Sequence, residues 1–340
     1  MKNIIKQISF AVALLSITSC SQTALENYFT PIVDIKIPDR DPRLVLLGRI
    51  VGGSDSIELF ITKSRGALDT TLLNSNIVSG FGSRGNSAFD TVNNATVKVF
   101  KDGVLIATPQ YFINGKYLAV LPKALPEDKA TYTVQVSAPN FVSIEATQKM
   151  VSAPTNFDTV TATQNVKVAK PLDLNNPFDP FGDPYNATQF NLSFKDVAGE
   201  NNYYTAYGVA FLPNDPNPRG LQCDSRDPAS ENNYLNAKNF DGKSIAWTTH
   251  TRRIGRGGGP NGGGPGGPRG GNNGQIPAGT TVNLTLVSAS YDRYLFEQSY
   301  ATYLSALNNP FAEPVILHSN IKNGYGVFTT AVERTKVIKF

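Results

Sequence analysis

From Leu44 onward the sequence breaks repeatedly into short runs in which apolar and polar residues alternate, parted by glycine, asparagine and proline. A period of two buries one face of a strand and wets the other, so a chain made of such runs folds mainly as β-sheet. Residues 44–50 and 56–61 are the first two runs, separated by Gly52-Gly53. Residues 95–100 alternate, Lys101-Asp102-Gly103 supplies a hairpin turn, and residues 104–106 return. Further strands are expected at 116–121, 132–137 and 142–148. Short strands at this spacing describe an immunoglobulin-like β-sandwich over residues 43–153, although a Cys–Trp–Cys core is missing.

Pro154 marks a boundary, and residues 154–340 read as a second β-rich domain. Its strands are expected at 159–168, 190–194, 203–211 (where aromatics fall on alternate positions) and 282–287. Residues 62–92, 171–185 and 212–240 read as loops because Ser, Gly, Asn, Pro and Asp dominate them. One helix is expected at about 291–307, capped by Ser288 or Ser290 and stopped by Asn308-Asn309-Pro310. Tyr294, Leu295, Gln298, Thr302 and Ser305 share one face of it, half apolar, which predicts partial burial against a sheet. Residues 252–274 are mostly glycine and proline. They cannot bury apolar area against their ordering entropy, so they are expected to form a mobile loop.

The N-terminus carries a different signal. Met1-Lys2-Asn3-Ile4-Ile5-Lys6 is a basic start, and residues 8–17 are apolar apart from Ser9 and Ser16. That is the layout of a secretory signal, and the run is about half the roughly twenty residues needed to span a bilayer. Ile17-Thr18-Ser19-Cys20 resembles the bacterial lipobox, which predicts cleavage after residue 19 and lipidation of Cys20. Residues 20–42, polar and holding Pro31, Pro38 and Pro42, then form a tether. The residue after Cys20 is Ser21 rather than Asp, which favours the outer membrane, with Glu26 pointing to the cell surface and the periplasmic leaflet as the alternative. Loss of Lys2 and Lys6 lowers the formal charge from +4 to +2. So near-neutral a chain gives no reason to expect nucleic-acid binding.

The chemistry-bearing residues are few. His250 and His318 are the two histidines, without His-x-x-x-His, Cys-x-x-Cys or Gly-x-Ser-x-Gly spacing, so neither a metal nor a cofactor is expected, nor a serine-hydrolase site. His318 is expected to be packed or hydrogen-bonded. Cys223 is read in a polar loop, where Asp224 disfavours a thiolate. With Cys20 lipidated it has no intrachain disulfide partner. Asp173, Asp179 and Asp183 in one loop, and Asp215, Asp224 and Asp227 in another, are read as solvated turns in preference to calcium sites, since neither has the twelve-residue loop spacing.

A family resemblance rests on the C-terminal stretch. Tyr291-Asp292-Arg293-Tyr294, then Asn309-Pro310-Phe311-Ala312-Glu313-Pro314-Val315, then Ser319 to Phe328 with its Gly324-Tyr325-Gly326, resembles a Bacteroidetes outer-membrane lipoprotein family, domain of unknown function 4249. Residues 44–50, Asn94-Ala95-Thr96-Val97, Asp196 and Tyr203-Tyr204 agree in order. The resemblance implies a lipoprotein often encoded beside transporter-type β-barrels, and it supplies no catalytic residues. In the signature Tyr294, Asn309, Pro310, Phe311, Pro314, Ser319, Asn320, Gly324, Gly326 and Phe328 read as structural, the prolines fixing the chain and the glycines permitting turns. Ser56, Thr70, Thr91 and Thr159 each follow an Asp, a pattern that resembles the O-glycosylation motif of exported Bacteroidetes proteins. The expectation is thus a non-enzymatic accessory of an outer-membrane β-barrel complex, a transporter or the barrel-assembly machinery, with a surface adhesin or scaffold as the alternative.

Overall fold

The computed structural model describes residues 41–64, 90–169, 184–225, 230–231, 233–254, 275–306, 313 and 315–340. The alternating runs become strands. In the first half these are β1 (Leu44–Gly52), β2 (Ser56–Lys63), β3 (Asp90–Thr91), β4 (Thr96–Lys101), β5 (Val104–Ala107), β6 (Gln110–Ile113), β7 (Lys116–Val120), β8 (Thr131–Ser137) and β9 (Ile144–Lys149). The second half holds β10 (Thr155–Val168), β11 (Tyr185–Lys195), β12 (Tyr203–Phe211), β13 (Arg219–Ser225), β14 (Ser230–Glu231), β15 (Tyr234–Asn236), β16 (Ser244–Ile254) and β17 (Thr281–Ala289). Helix α1 (Tyr291–Ala306) and a last strand, β18 (Tyr325–Lys339), complete the chain. The protein is mainly β, with one α-helix near the C-terminus among the described residues. None of those residues forms a helix long and apolar enough to cross a membrane.

A large sheet runs in the order β10-β11-β16-β13-β12-β17-β18-β1-β2-β7-β6. A second sheet, β5-β4-β8-β9, lies over its far end. The junction is β18, which pairs antiparallel with β17 along its second half and parallel with β1 along its first half. This is the one parallel pairing among the described strands, and parallel strands need a long crossover, which here is nearly the whole chain.

The first core lies between the two sheets. On β1, Leu44, Leu46 and Ile50 point inward while their neighbours are half-buried, the period-two pattern that the sequence carries. They meet Val97 and Val99 of β4, Tyr132, Val134 and Val136 of β8, and Ile144 of β9. Ile321, Phe328 and Val332 complete this core from the C-terminal end of the chain. The segment 43–153 therefore shares its core with residues far beyond Pro154.

The second core sits inside the curled half of the large sheet. Phe190, Leu192 and Phe194 of β11, Tyr204 of β12, Trp247 of β16 and Leu284 and Leu286 of β17 fill it. The Phe190 ring stands edge-on to Phe340 at 6.3 Å, so the sheet curls until β11 meets the end of β18. Tyr203 and Tyr204 are neighbours on one strand and point to opposite faces. Tyr204 enters this core, while Tyr203 lies under α1.

Three expectations need correction. Residues 212–240, read as loop, contain β13, β14 and β15, which their polar composition conceals. Cys223 is buried in β13 rather than placed in a polar loop. Ser290 does precede α1, and its carbonyl accepts from the Arg293 and Tyr294 amides, but its hydroxyl accepts from the Thr330 amide and does not cap the helix. The proposed helix stop at 308–310, the loop 252–274 beyond Ile254, and the acidic residues Asp173, Asp179, Asp183 and Asp227 lie outside the described residues.

β18 is further tied to the first half by Arg334, whose guanidinium grips the Glu127 carboxylate with two bonds. The bonds from Arg334 hold that carboxyl below the usual carboxylate range. A depressed folded value means stability present above the unfolded value of about 4.3 and lost as pH falls through the folded value. About a third of each side chain is exposed, so screening keeps the pair below about 1 kcal/mol. We expect Glu127→Gln to lower stability by a few tenths of a kcal/mol at pH 7. In urea melts at several pH values, the difference from wild type should shrink steadily below pH ~4.

Candidate functional site

A group of polar and aromatic side chains lies where α1 covers the outer face of the large sheet. Tyr294, on the first turn of α1, stacks on Tyr203 of β12 at 4.5 Å and meets Tyr234 of β15 edge-on at 5.6 Å. Tyr291 stacks on the same Tyr203 from the helix start. The Tyr294 hydroxyl donates to Glu231 at 2.6 Å, and Gln298 donates to the Glu231 carbonyl. Burial, then the Glu231 carboxylate, pushes the Tyr294 hydroxyl well above its ordinary range, so it stays a donor.

Beside the stack is a charge network. The Arg49 guanidinium of β1 donates to Glu333 of β18 at 2.9 Å, and the Tyr207 hydroxyl of β12 donates to the other oxygen of that carboxylate at 2.9 Å. Arg293 of α1 bonds Glu297 one turn on, at 2.9 Å. Burial lowers Arg49, and the neighbouring Arg293 adds to it, while Glu333 opposes both. Glu333 thus fastens β1, β12 and β18 together, with the intrahelical Arg293–Glu297 pair of α1 close enough to share the field. The sequence marks these residues faintly, as single charges in otherwise apolar strands such as Arg49 within Leu44–Gly52.

His318 places its Nε2 2.6 Å from Asp292 on α1, and the second Asp292 oxygen accepts from Gln148 of β9. The His318 amide donates to the Ser299 hydroxyl, which itself donates to the Phe296 carbonyl. The segment entering β18 is thereby clamped to the helix. His250 on β16 faces Gln189 of β11 at 3.1 Å. Asp215 is occupied by its own turn, accepting from the Asn217 amide and from Arg219. Asp224 lies in β13, opposite His250 in the ladder. Among the described residues no three metal-ligating side chains gather.

Asp196 is almost wholly buried. One carboxylate oxygen accepts from Asn202 at 2.9 Å and from the Tyr204 hydroxyl at 2.8 Å, and the other accepts from the Gly242 amide at 3.2 Å. The sequence agreement at Asp196 and Tyr204 is thus a physical unit, one carboxylate holding three donors from two loops and a strand, while Tyr203 serves the opposite face.

The described part of the C-terminal signature builds the entry of β18. The Asn320 amide donates to the Phe328 carbonyl at 2.8 Å and accepts from the Phe328 amide at 2.9 Å, replacing a strand partner with a side chain. Phe328 is fully buried, its ring beside the place where a Cβ on Gly48 would sit. Gly326 has φ +104°, and a Cβ there would stand 2.1 Å from the Leu46 carbonyl oxygen. A side chain is therefore impossible without moving β1. Ser319 accepts from the Ile321 amide in a local turn. Asn309, Pro310, Phe311 and Pro314 lie outside the described residues, as do Cys20 and Thr70. Of the other candidate modification residues, Thr159 is exposed on β10, and Ser56 and Thr91 are half-buried.

Cys223 is buried, and that burial, with Asp224 beside it, pushes the thiol up to about 12. A thiolate is then negligible at neutral pH. The native protein should resist a thiol reagent at pH 8 over an hour, whereas urea-unfolded protein should react within seconds to minutes; rapid native labelling would contradict this burial.

Two grooves open on the described surface. One groove, about 400 Å³, is lined by Lys98, Gln135, Ser137, Glu145, Lys322 and Asn323 between β4, β8, β9 and the entry to β18. A smaller one, about 200 Å³, involves Glu200, Lys238 and Asp241.

No curated protein matches the sequence. A family model described as "Domain of unknown function (DUF4249)" matches residues 30–337, a span that takes in both cores, the α1 seam and the β18 entry. The match extends over nearly the whole chain, so the protein belongs to this family.

Proposed function

We propose that the protein is a lipid-anchored, non-enzymatic accessory subunit of an outer-membrane β-barrel complex, a transporter or the barrel-assembly machinery, in a Bacteroidetes envelope. The observation that carries this reading is how its titratable groups are used. Asp196 holds three donors, Asp292 holds His318 and Gln148, Glu333 holds Arg49 and Tyr207, and Cys223 is buried. Each of these four described groups is already committed to holding the fold, which supports a structural rather than a hydrolytic role for them. The resemblance of residues 17–20 to a lipobox supports the location, and the β-barrels often encoded beside members of the resembled family support the partner class.

The test is crosslinking in whole cells followed by mild affinity purification. A β-barrel recovered at near-equal stoichiometry is the expected result; a lone monomer would sink the proposal.

A second reading, a surface adhesin or scaffold, is favoured by Val104 and Leu105. They are exposed on edge strand β5 of the smaller sheet. Deleting residues 255–274 discriminates if the glycine-rich segment is the adhesin's arm: an adhesin loses its binding, whereas an accessory subunit keeps its barrel.

A further inference from the structure

Most large apolar side chains of the first half lie in its core, but three consecutive ones do not. Tyr111, Phe112 and Ile113 of β6 are 44%, 63% and 52% exposed. They lead into Asn114-Gly115, both at positive φ (49° and 78°), a two-residue hairpin turn joining β6 to β7.

The ladder registers locate this tip. Ile113 pairs with Lys116, Lys116 with Phe60, and Phe60 with Leu47. Ile113 is thus level with a residue three positions into β1, about 10 Å along the strand from Leu44. The Gly115 carbonyl accepts from the Ile61 amide at 2.8 Å, and Ile61 pairs with Leu46. The apolar tip therefore sits at the end of the sheet where the chain enters from Cys20. The same end carries Tyr325, paired with Val45, with the Arg43 guanidinium 5.8 Å over its exposed ring. Fully extended, the chain from Cys20 to Leu44 reaches at most about 80 Å.

Two kinds of occupant could cover the tip. An added strand needs a regular edge, but the β6 register slips between Tyr111 and Ile113, leaving Phe112 on a bulge. Bulges spoil an edge as a template for pairing. A lipid surface needs no hydrogen-bond register. It favours aromatic rings and long cationic side chains, apolar in body and polar at the tip, near the head groups. We propose that the β6–β7 hairpin tip, through Tyr111, Phe112 and Ile113, inserts into the head-group layer of the membrane that holds the anchor. Arg43 and Tyr325 flank the contact. The proposal rests on the anchoring reading above and deepens it, fixing which end of the protein faces the lipid.

The test places an environment-sensitive dye at Phe112→Cys and, separately, at Val104→Cys on the opposite end. Buried Cys223 stays unlabelled in the folded protein. The lipidated full-length protein is reconstituted in phosphatidylethanolamine–phosphatidylglycerol vesicles with or without brominated acyl chains. Dye at 112 should be quenched by the brominated lipid at least threefold more than dye at 104. Equal quenching at the two positions overturns the proposal. A blue shift at 112 without lipid quenching also overturns it, and indicates protein contact instead. Mass spectrometry of the N-terminal peptide separates the two levels. An acylated Cys20 with an unquenched 112 sinks the hairpin contact alone; an unacylated Cys20 sinks the anchor and the contact together.

Discussion

Replacing Gly326 by alanine should cost about 4 kcal/mol, a large share of the stability of an ordinary domain. Two effects add. The φ of +104° is strained for any residue with a Cβ, at about 1–2 kcal/mol. The larger effect is steric: the new carbon would meet the Leu46 carbonyl at 2.1 Å, and that contact is backbone, so no rotamer change relieves it. β1 must move, which disturbs the parallel ladder and the packing of Phe328 behind it. Gly103→Ala is the control. Its φ is +81°, with no other atom within 4 Å of the new carbon, so strain alone should cost about 1 kcal/mol. Urea midpoints compare the two; similar shifts would show that the close approach is not what makes Gly326 necessary.

Asp196→Ala should cost about 4 kcal/mol. It strands the buried Tyr204 hydroxyl and the half-buried Gly242 amide and takes from the Asn202 amide one of its two acceptors, the other being the Val197 carbonyl; a buried donor that loses its partner costs roughly 1–3 kcal/mol before relaxation. Asp196→Asn should cost less, about 2 kcal/mol, because one oxygen can still serve Asn202 and Tyr204 while the new amide faces the Gly242 donor. Tyr204→Phe, which removes one donor and leaves the ring, should cost about 1 kcal/mol. Thermal melts that ranked these three in another order would argue against the carboxylate as the organising group.

The strands were legible where burial alternates. The runs at 44–50, 56–61 and 203–211 coincide with β1, β2 and β12 because one face is core and the other half-wet, so local pattern and tertiary position agree. The helix at Tyr291–Ala306 was equally readable. β13 was not, because Arg219, Gln222, Asp224 and Ser225 read as a polar loop until neighbours β12 and β16 enclose the strand. β18 was hidden for another reason. Its signature residues were read as a turn scaffold, and Gly326 does make a turn-like backbone, but what the glycine admits is β1, some 280 positions earlier in the chain. Local periodicity carries no information about a partner so remote. The α1 seam escaped for the same cause. Arg49, Tyr207, Arg293 and Glu333 are scattered singletons in sequence, and only the sheet order brings them together.

The parallel pairing of β1 with β18 has a kinetic corollary. Strands at the start of the chain receive their neighbour, and their core receives Phe328 and Val332, from its final residues. A polypeptide emerging N-terminus first during synthesis must hold Leu44, Leu46 and Ile50 incompletely covered until almost every residue has emerged. Native structure then arrives as a closing event rather than progressively, and a chain truncated before Tyr325 is left with an open first core, a species for proteolysis to remove.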